Sequence, residues 1–216
     1  MRWVYVSIIA IIFLRLALLP SPSEPVAVHI AETVFSEAGV PNAVSGILLR
    51  NRLYDTLFEL MVFTVAVLGV QYAFSTHEAE DKIFHLHDST MVILARIGAM
   101  VAALIFLELS LRGHLAPGGG FAAGVAGGTA IGLLTLTGNT HELHAFYEKW
   151  HLASFEKVIV LAALLLGIVF LSMAGSGSPA SLSMITIPVL NVLIAFKVAL
   201  GSWAIILLFI RHRGLL

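Results

Sequence analysis

The sequence predicts an all-α, polytopic integral membrane protein with about six transmembrane helices. Three observations carry that prediction. Hydrophobic residues make up 59% of the 216-residue chain, charged residues only 12%, and the mean hydropathy is +0.97. A water-soluble domain carries about 25% charged residues, so this chain has too little polar surface to face water on all sides. Apolar runs recur at about 20 residues, the length a helix needs to cross a bilayer. Most ionisable residues gather in the intervals between those runs. The balance of 12 Lys+Arg against 13 Asp+Glu gives a net charge of −1 and leaves no footprint for nucleic acid. The chain has no Cys, which excludes disulfides, thiolate zinc sites and Cys-ligated iron–sulfur clusters. Any redox centre belongs to another chain.

The six spans fall at about residues 3–19, 56–75, 91–110, 119–138, 155–174 and 185–210. The first, WVYVSIIAIIFLRLALL, reads as a retained helix rather than a secretory signal. Arg15 interrupts its apolar run, and no small-residue cleavage site follows convincingly. The interval 20–55 opens with PSPSEP and then carries Val26, Ile30 and Val34 at helical spacing, flanked by Glu24, Glu32 and Glu37. That stripe predicts a short helix lying on the membrane surface or on a partner. Polar composition marks 76–90 and 139–157 as loops, and GSGSPASLS at 175–183 as a flexible, uncharged one. Six spans leave both termini on one side, with Arg2, Lys82, Lys149, Lys157, Arg211 and Arg213. The other side holds Arg15, Arg50, Arg52 and Arg112. This small excess favours cytoplasmic termini; the chain is expected to be a multi-pass protein of the cytoplasmic membrane.

Lys197 stands near the centre of the last span. A lysine stem reaches about 6 Å and each interface is about 15 Å away, so it cannot snorkel out. A charge there costs about 3 kcal/mol or more unless it is paired, hydrated or neutralised. It is either an ion pair that locks helices together or a residue of a proton or cation path. Arg52, Asp55 and Glu59 fall at i, i+3 and i+7, one face of a helix. Arg52 offsets part of the repulsion between the carboxylates, and the remaining one holds a proton or attracts a cation easily. The alternative is an ordinary solvated helix start. Arg96 and Glu108 lie toward opposite ends of the third span, about 18 Å apart, too far to pair. Glu108 and Arg112 are spaced i, i+4 for a local pair, and Arg96 is placed to snorkel.

The string RGHLAPGGGF at 112–121 is the most distinctive in the chain. Pro117 suits a first helical turn, and the glycines let backbones approach closely. Gly120, Gly124, Gly128 and Gly132 then repeat every four residues, a small-residue stripe against which another helix packs. His114 is either a proton relay or a turn-stabilising donor. His141, His144, Glu148 and His151 share a helical face that permits a metal, though an amphipathic interfacial helix explains them as well. No GxSxG elbow or HExxH motif supports an intramembrane hydrolase.

Residues 91–137, centred on RGHLAPGGGFAAGV, resemble the B subunit of Mrp-type multisubunit Na⁺/H⁺ antiporters, the MnhB-like domain. His114, Pro117, Gly118, Gly119, Gly120 and Phe121 match the family's GH-x-x-PGGGF string, while Leu115 replaces its common Asn. The resemblance continues through PVLNVLIAFKVALG, where Asn191 stands at a position that is often Asp in antiporters. The Asn form is more like subunits of redox-driven complexes such as membrane-bound hydrogenases. Residues 42–70 resemble the C-terminal end of the antiporter A subunit, or its free-standing counterpart in those hydrogenases. Arg52, Asp55, Thr56, Leu57 and Glu59 match the pattern there, and Phe58 replaces Gly.

The chain therefore looks like a fusion. Residues 1–75 form a two-helix segment, 76–90 a polar linker and 91–216 a four-helix MnhB-like domain. The resemblance implies a membrane subunit of a Na⁺/H⁺ antiporter module within a redox-driven respiratory complex, lining or supporting an ion path. It would not itself be an enzyme and would hold no cofactor beyond transported Na⁺ and H⁺. Its partners would be other Mrp-like subunits, hydrogenase-like or iron–sulfur subunits, and the lipid bilayer. Asp55, Glu59, Lys197, His114, Glu108 and Arg96 are the ion-path candidates. The alternative is a purely structural subunit that clamps its neighbours while ions pass elsewhere.

Overall fold

The computed structural model describes residues 30–75, 88–137, 145, 149–174 and 180–212. The chain divides into two compact units, Met1–Thr33 and Val34–Leu216. Of the first unit only residues 30–33 are described, so the span expected at 3–19 lies outside the described residues. The second unit is a helical bundle. Helix α1 is Ile30–Ala38 and α2 is Ala43–Gly46, which runs into a π-helical turn at Ile47–Asn51. The long helices follow as α3 Leu53–Phe74, α4 Ser89–Arg112, α5 Gly120–Thr137, α6 Leu152–Ala174 and α7 Ala180–Arg211. Each contains a stretch long and apolar enough to cross a membrane, which makes this a multi-pass membrane protein.

α7 is the axis of the bundle and packs against α3, α4, α5 and α6. Its 32 residues make a rod of about 48 Å, longer than the hydrocarbon core of a bilayer. Contacts along it fix the directions of its neighbours. Gly120, Gly124, Gly128 and Gly132 of α5 meet Ile194, Val198, Ser202 and Ile206 in turn, so α5 and α7 run parallel. Phe63 of α3 lies beside Gly201, and Phe74 packs edge-on against Phe209 and at a tilt against His212, so α3 also runs parallel to α7. Gly98 of α4 meets Leu133 and Gly127 of α5 meets Phe106, an antiparallel pairing. Each successive span thus reverses direction. The main core joins Leu53, Leu57 and Leu60 of α3 to Ala163 and Phe170 of α6 and to Ile187, Leu190, Ile194 and Val198 of α7.

Three boundaries differ from the sequence reading. The stretch 42–51, expected as loop, is helical because the Asn42 side chain accepts from the Val44 and Ser45 N–H groups and starts a helix there. α6 begins at Leu152, three residues before the expected span, which puts Glu156 a full turn inside the helix. Its charge has a partner in the bundle, described below. α7 begins at Ala180, one turn before the expected span; Ser183 is fully buried there and receives Arg50 Nη1. His141, His144 and Glu148 lie outside the described residues. His151 has φ +46°, outside right-handed helix, so their expected helical face does not continue through it.

Candidate functional site

Two asparagines hold the turn between α4 and α5. A helix ends with carbonyls that have no partner inside the helix. Here Asn191 Nδ2 donates to Leu109 O at 3.0 Å and Ser110 O at 2.7 Å. From the opposite side of the chain, Asn42 Nδ2 donates to Gly113 O at 2.8 Å and Ala116 O at 2.6 Å. Ser45 Oγ donates a second bond to Gly113 O, at 2.5 Å. Gly113 cannot carry a side chain, since a Cβ would sit 2.7 Å from Asn191 Nδ2. Gly118 has φ +151°, and a Cβ there would lie 2.5 Å from Leu109 Cδ2. The RGHLAPGGGF string is therefore a tight turn clamped between residues 42–45 and α7.

The glycine stripe is occupied within the chain. A Cβ on Gly120 would lie 2.6 Å from Asn191 O, and one on Gly124 would overlap the Val198 side chain. The helix that packs on this stripe is α7 of the same chain. The stripe is thus no free surface for clamping a neighbouring subunit.

Lys197 is 0% exposed, among the largest fully buried side chains in the protein. Its Nζ lies 2.6 Å from Glu156 Oε1 and 4.8 Å from the centre of the Phe63 ring. The ammonium thus has an anion on one side and an aromatic face on the other. Sequence reasoning missed Glu156, because its neighbours HLASFEK read as loop. A buried lysine demanded an acid, and Glu156 lies within one turn of a span end.

The other ionisable candidates lie apart from this pair. Asp55 is held by Arg52, whose Nε donates to Asp55 Oδ2 at 2.7 Å; this bond and the carboxylate charge raise the exposed guanidinium's pKa. Glu108 pairs with Arg112 at 2.8 Å, both exposed. Arg96 is exposed on α4. His114 is half-buried, its carbonyl accepts from Asn42 N at 3.2 Å, and its buried Nδ1 has no hydrogen-bond partner. Glu59 is exposed at the rim of two hollows. One, of about 240 Å³, is bounded by the turn glycines, Asn191 and Thr56; the other, of about 600 Å³, is an open groove along Asp55, Val62 and Phe63. Among the described residues no three His, Cys, Asp or Glu side chains come together as a metal site.

Comparison with known proteins agrees with this architecture. No curated protein matches the sequence. A chain of the membrane-bound sulfane sulfur reductase (MBS), an archaeal respiratory membrane complex, shares the fold with a TM-score of 0.67 at 22% identity. The match covers 97% of this chain and 98% of that one. Residues 90–204, more than half of the protein, match the family model described as a domain related to the MnhB subunit of Na⁺/H⁺ antiporter. With its turn, its stripe and its match over that length, the chain belongs to the family of MnhB-related membrane domains.

Proposed function

We propose that this chain is a membrane subunit of a multisubunit Mrp-type cation/proton antiporter module within a redox-driven respiratory complex of the cytoplasmic membrane. It lines part of an ion path shared with partner subunits. The observation that carries the reading is the Lys197–Glu156 pair, buried inside the bundle beside Phe63. Ion pairs in this setting are weak evidence of stability, because desolvating both charges offsets most of their attraction. Intramembrane ionisable groups are instead characteristic of ion and proton pathways. Phe63 is one helical turn beyond Glu59, so the ammonium and the Glu59 groove adjoin the same stretch of α3.

A proton arriving on Glu156 removes the charge that holds the ammonium, and Lys197 is then free to respond to charge elsewhere on the path. Na⁺ and H⁺ are the transported species in this reading. Residues 1–75 and 91–216 correspond to two neighbouring antiporter subunits joined by 76–90, with electron transfer left to iron–sulfur or hydrogenase-like partners. The fold that the chain shares with the sulfane sulfur reductase chain supports this setting.

The test separates assembly from flux. Lys197→Met alone strands Glu156 and lowers the yield of complex. Lys197→Met with Glu156→Leu replaces the pair by apolar side chains and restores yield. The same double variant is expected to lose most Na⁺-dependent proton exchange per assembled complex in membrane vesicles. Unchanged flux per complex in the double variant would leave a purely structural role.

A further inference from the structure

The 240 Å³ hollow between the PGGGF turn, α3 and α7 is walled mostly by apolar carbon, and its polar groups fall into two opposite sets. The donors come from the backbone. α5 carries no acidic side chain in its first turn, and Ala123 N is the first of its N–H groups with an acceptor, Gly119 O at 2.9 Å. Among the described residues nothing accepts from Gly120 N, Phe121 N or Ala122 N. These N–H groups and the positive end of an 18-residue helix dipole favour an anionic group such as a phosphate.

The acceptors come from side chains. Asn191 lines the hollow and is 1% exposed. Its Nδ2 donates to Leu109 O and Ser110 O, so Oδ1 is the opposite end of the amide, and that Oδ1 is buried without a donor. Thr56 Oγ1 gives its proton to Leu48 O at 3.0 Å and keeps lone pairs to offer. The Glu59 carboxylate stands at the rim, and among the described residues no cation is bonded to it, since Arg52 is held by Asp55. A bare cation would meet the N–H groups, and a simple anion would face Glu59. The lining calls for an anionic group and an N–H-bearing cation joined a few bonds apart.

Position narrows the choice further. α3 and α5 both run parallel to α7, so the hollow lies where both begin, at the end of the bundle near the headgroup level of a bilayer. Glu59 also borders the open groove of about 600 Å³ that continues along α3 past Phe58, Val62, Phe63 and Ala66. Phe58 and Val62 are 62% and 68% exposed. A polar seat that opens into an apolar groove suits an amphiphile.

We propose that hollow and groove together bind one aminophospholipid of the phosphatidylethanolamine type. Its phosphate accepts from the Gly120, Phe121 and Ala122 N–H groups. Its ammonium donates to Asn191 Oδ1 and Thr56 Oγ1 and pairs with Glu59. One acyl chain lies along Phe58, Val62 and Ala66. The site needs only the bundle and its place in a bilayer, so it stands whether or not ions pass through this chain.

The experiment is native mass spectrometry of the full chain, delipidated in detergent and titrated with dioleoyl phosphatidylethanolamine, phosphatidylcholine or phosphatidylglycerol. Choline keeps the charges of ethanolamine but has no N–H to donate. A glycerol headgroup sets a phosphate near Glu59 with no cation between them. We expect one phosphatidylethanolamine to be retained, with an apparent Kd about tenfold or more below those of the other two. Ala122→Leu, at an exposed position, narrows the hollow and should abolish that preference. Glu59→Gln, also exposed, should bring phosphatidylethanolamine level with phosphatidylglycerol, and Glu108→Gln, in an exposed pair elsewhere, should change neither. Equal retention of the three lipids, the behaviour of annular lipid only, overturns the site. So does a preference for phosphatidylcholine or phosphatidylglycerol, or one for phosphatidylethanolamine that survives either Ala122→Leu or Glu59→Gln.

Discussion

Asn42 acts at both ends of its amide. Oδ1 starts α2, and Nδ2 closes the turn some seventy residues later in the chain. Asn42→Ala should cost about 1–2 kcal/mol through the lost cap alone, and more for the carbonyls it strands. Asn42→Asp keeps the cap acceptor but turns a carboxylate toward Gly113 O and Ala116 O. We expect it to destabilise more than a cap loss explains, with limited proteolysis cutting first between 113 and 117. Thermal unfolding of the two variants side by side checks the order. For the buried pair, Lys197→Ala should cost about 3–5 kcal/mol because it leaves Glu156 without its cation. A loss below about 1 kcal/mol in denaturation of the purified chain would mean that water reaches Glu156 freely.

At the level of elements, the α5–α7 interface is closely packed, and its closeness comes from what the side chains lack. Gly124→Ala pushes a methyl group into Val198 and should cost about 1–3 kcal/mol. Gly69 in α3 has nothing within 4 Å of the place a Cβ would take. Gly69→Ala should therefore be neutral or stabilise by up to about 1 kcal/mol, since alanine loses less backbone entropy in a helix. Comparing the two by thermal unfolding separates packing from propensity; equal effects would show that the stripe is not a close contact. The π-helical turn is a second device at this scale. Its wider ring leaves carbonyls poorly served, and Thr56 Oγ1 donates to Leu48 O to satisfy one of them. Thr56 is thereby fixed beside the hollow.

For the whole molecule, the alternating helix directions put residues 113–119 and the start of α3 at one end of the bundle. The ends of α3 and α7 lie at the other. The chain has no Cys, so single cysteines report topology without a background. Ser75→Cys and Leu115→Cys, both at exposed positions, should label with an impermeant maleimide from opposite faces of the membrane. Labelling of both from one face would refute the arrangement of spans. Gentle extraction of the tagged chain and mass spectrometry of what co-purifies tests its setting. Antiporter-like subunits together with iron–sulfur or hydrogenase-like ones are expected. Recovery of the chain alone and monodisperse would count against a shared ion path.

Composition and run length alone determined that the chain is helical and crosses the membrane several times. Both follow from bilayer thickness and from the lack of polar surface, which need no knowledge of who touches whom. The pairing of Glu108 with Arg112 was legible too, because i, i+4 neighbours meet on any helix. So was the packing role of Gly120, Gly124, Gly128 and Gly132, although not the identity of the helix packed against them. Long-range partners were decided by tertiary structure alone. Lys197 announced a need for an anion, but nothing in one dimension named Glu156 as that anion. The antiparallel placement of α6 on α7 chose Glu156, and that choice left Glu59 with its charge at the mouth of the hollow. Asn42, Asn191 and the turn they clamp show the same division. Their side chains can bond almost any backbone group, and only the folded bundle decides which carbonyls they reach.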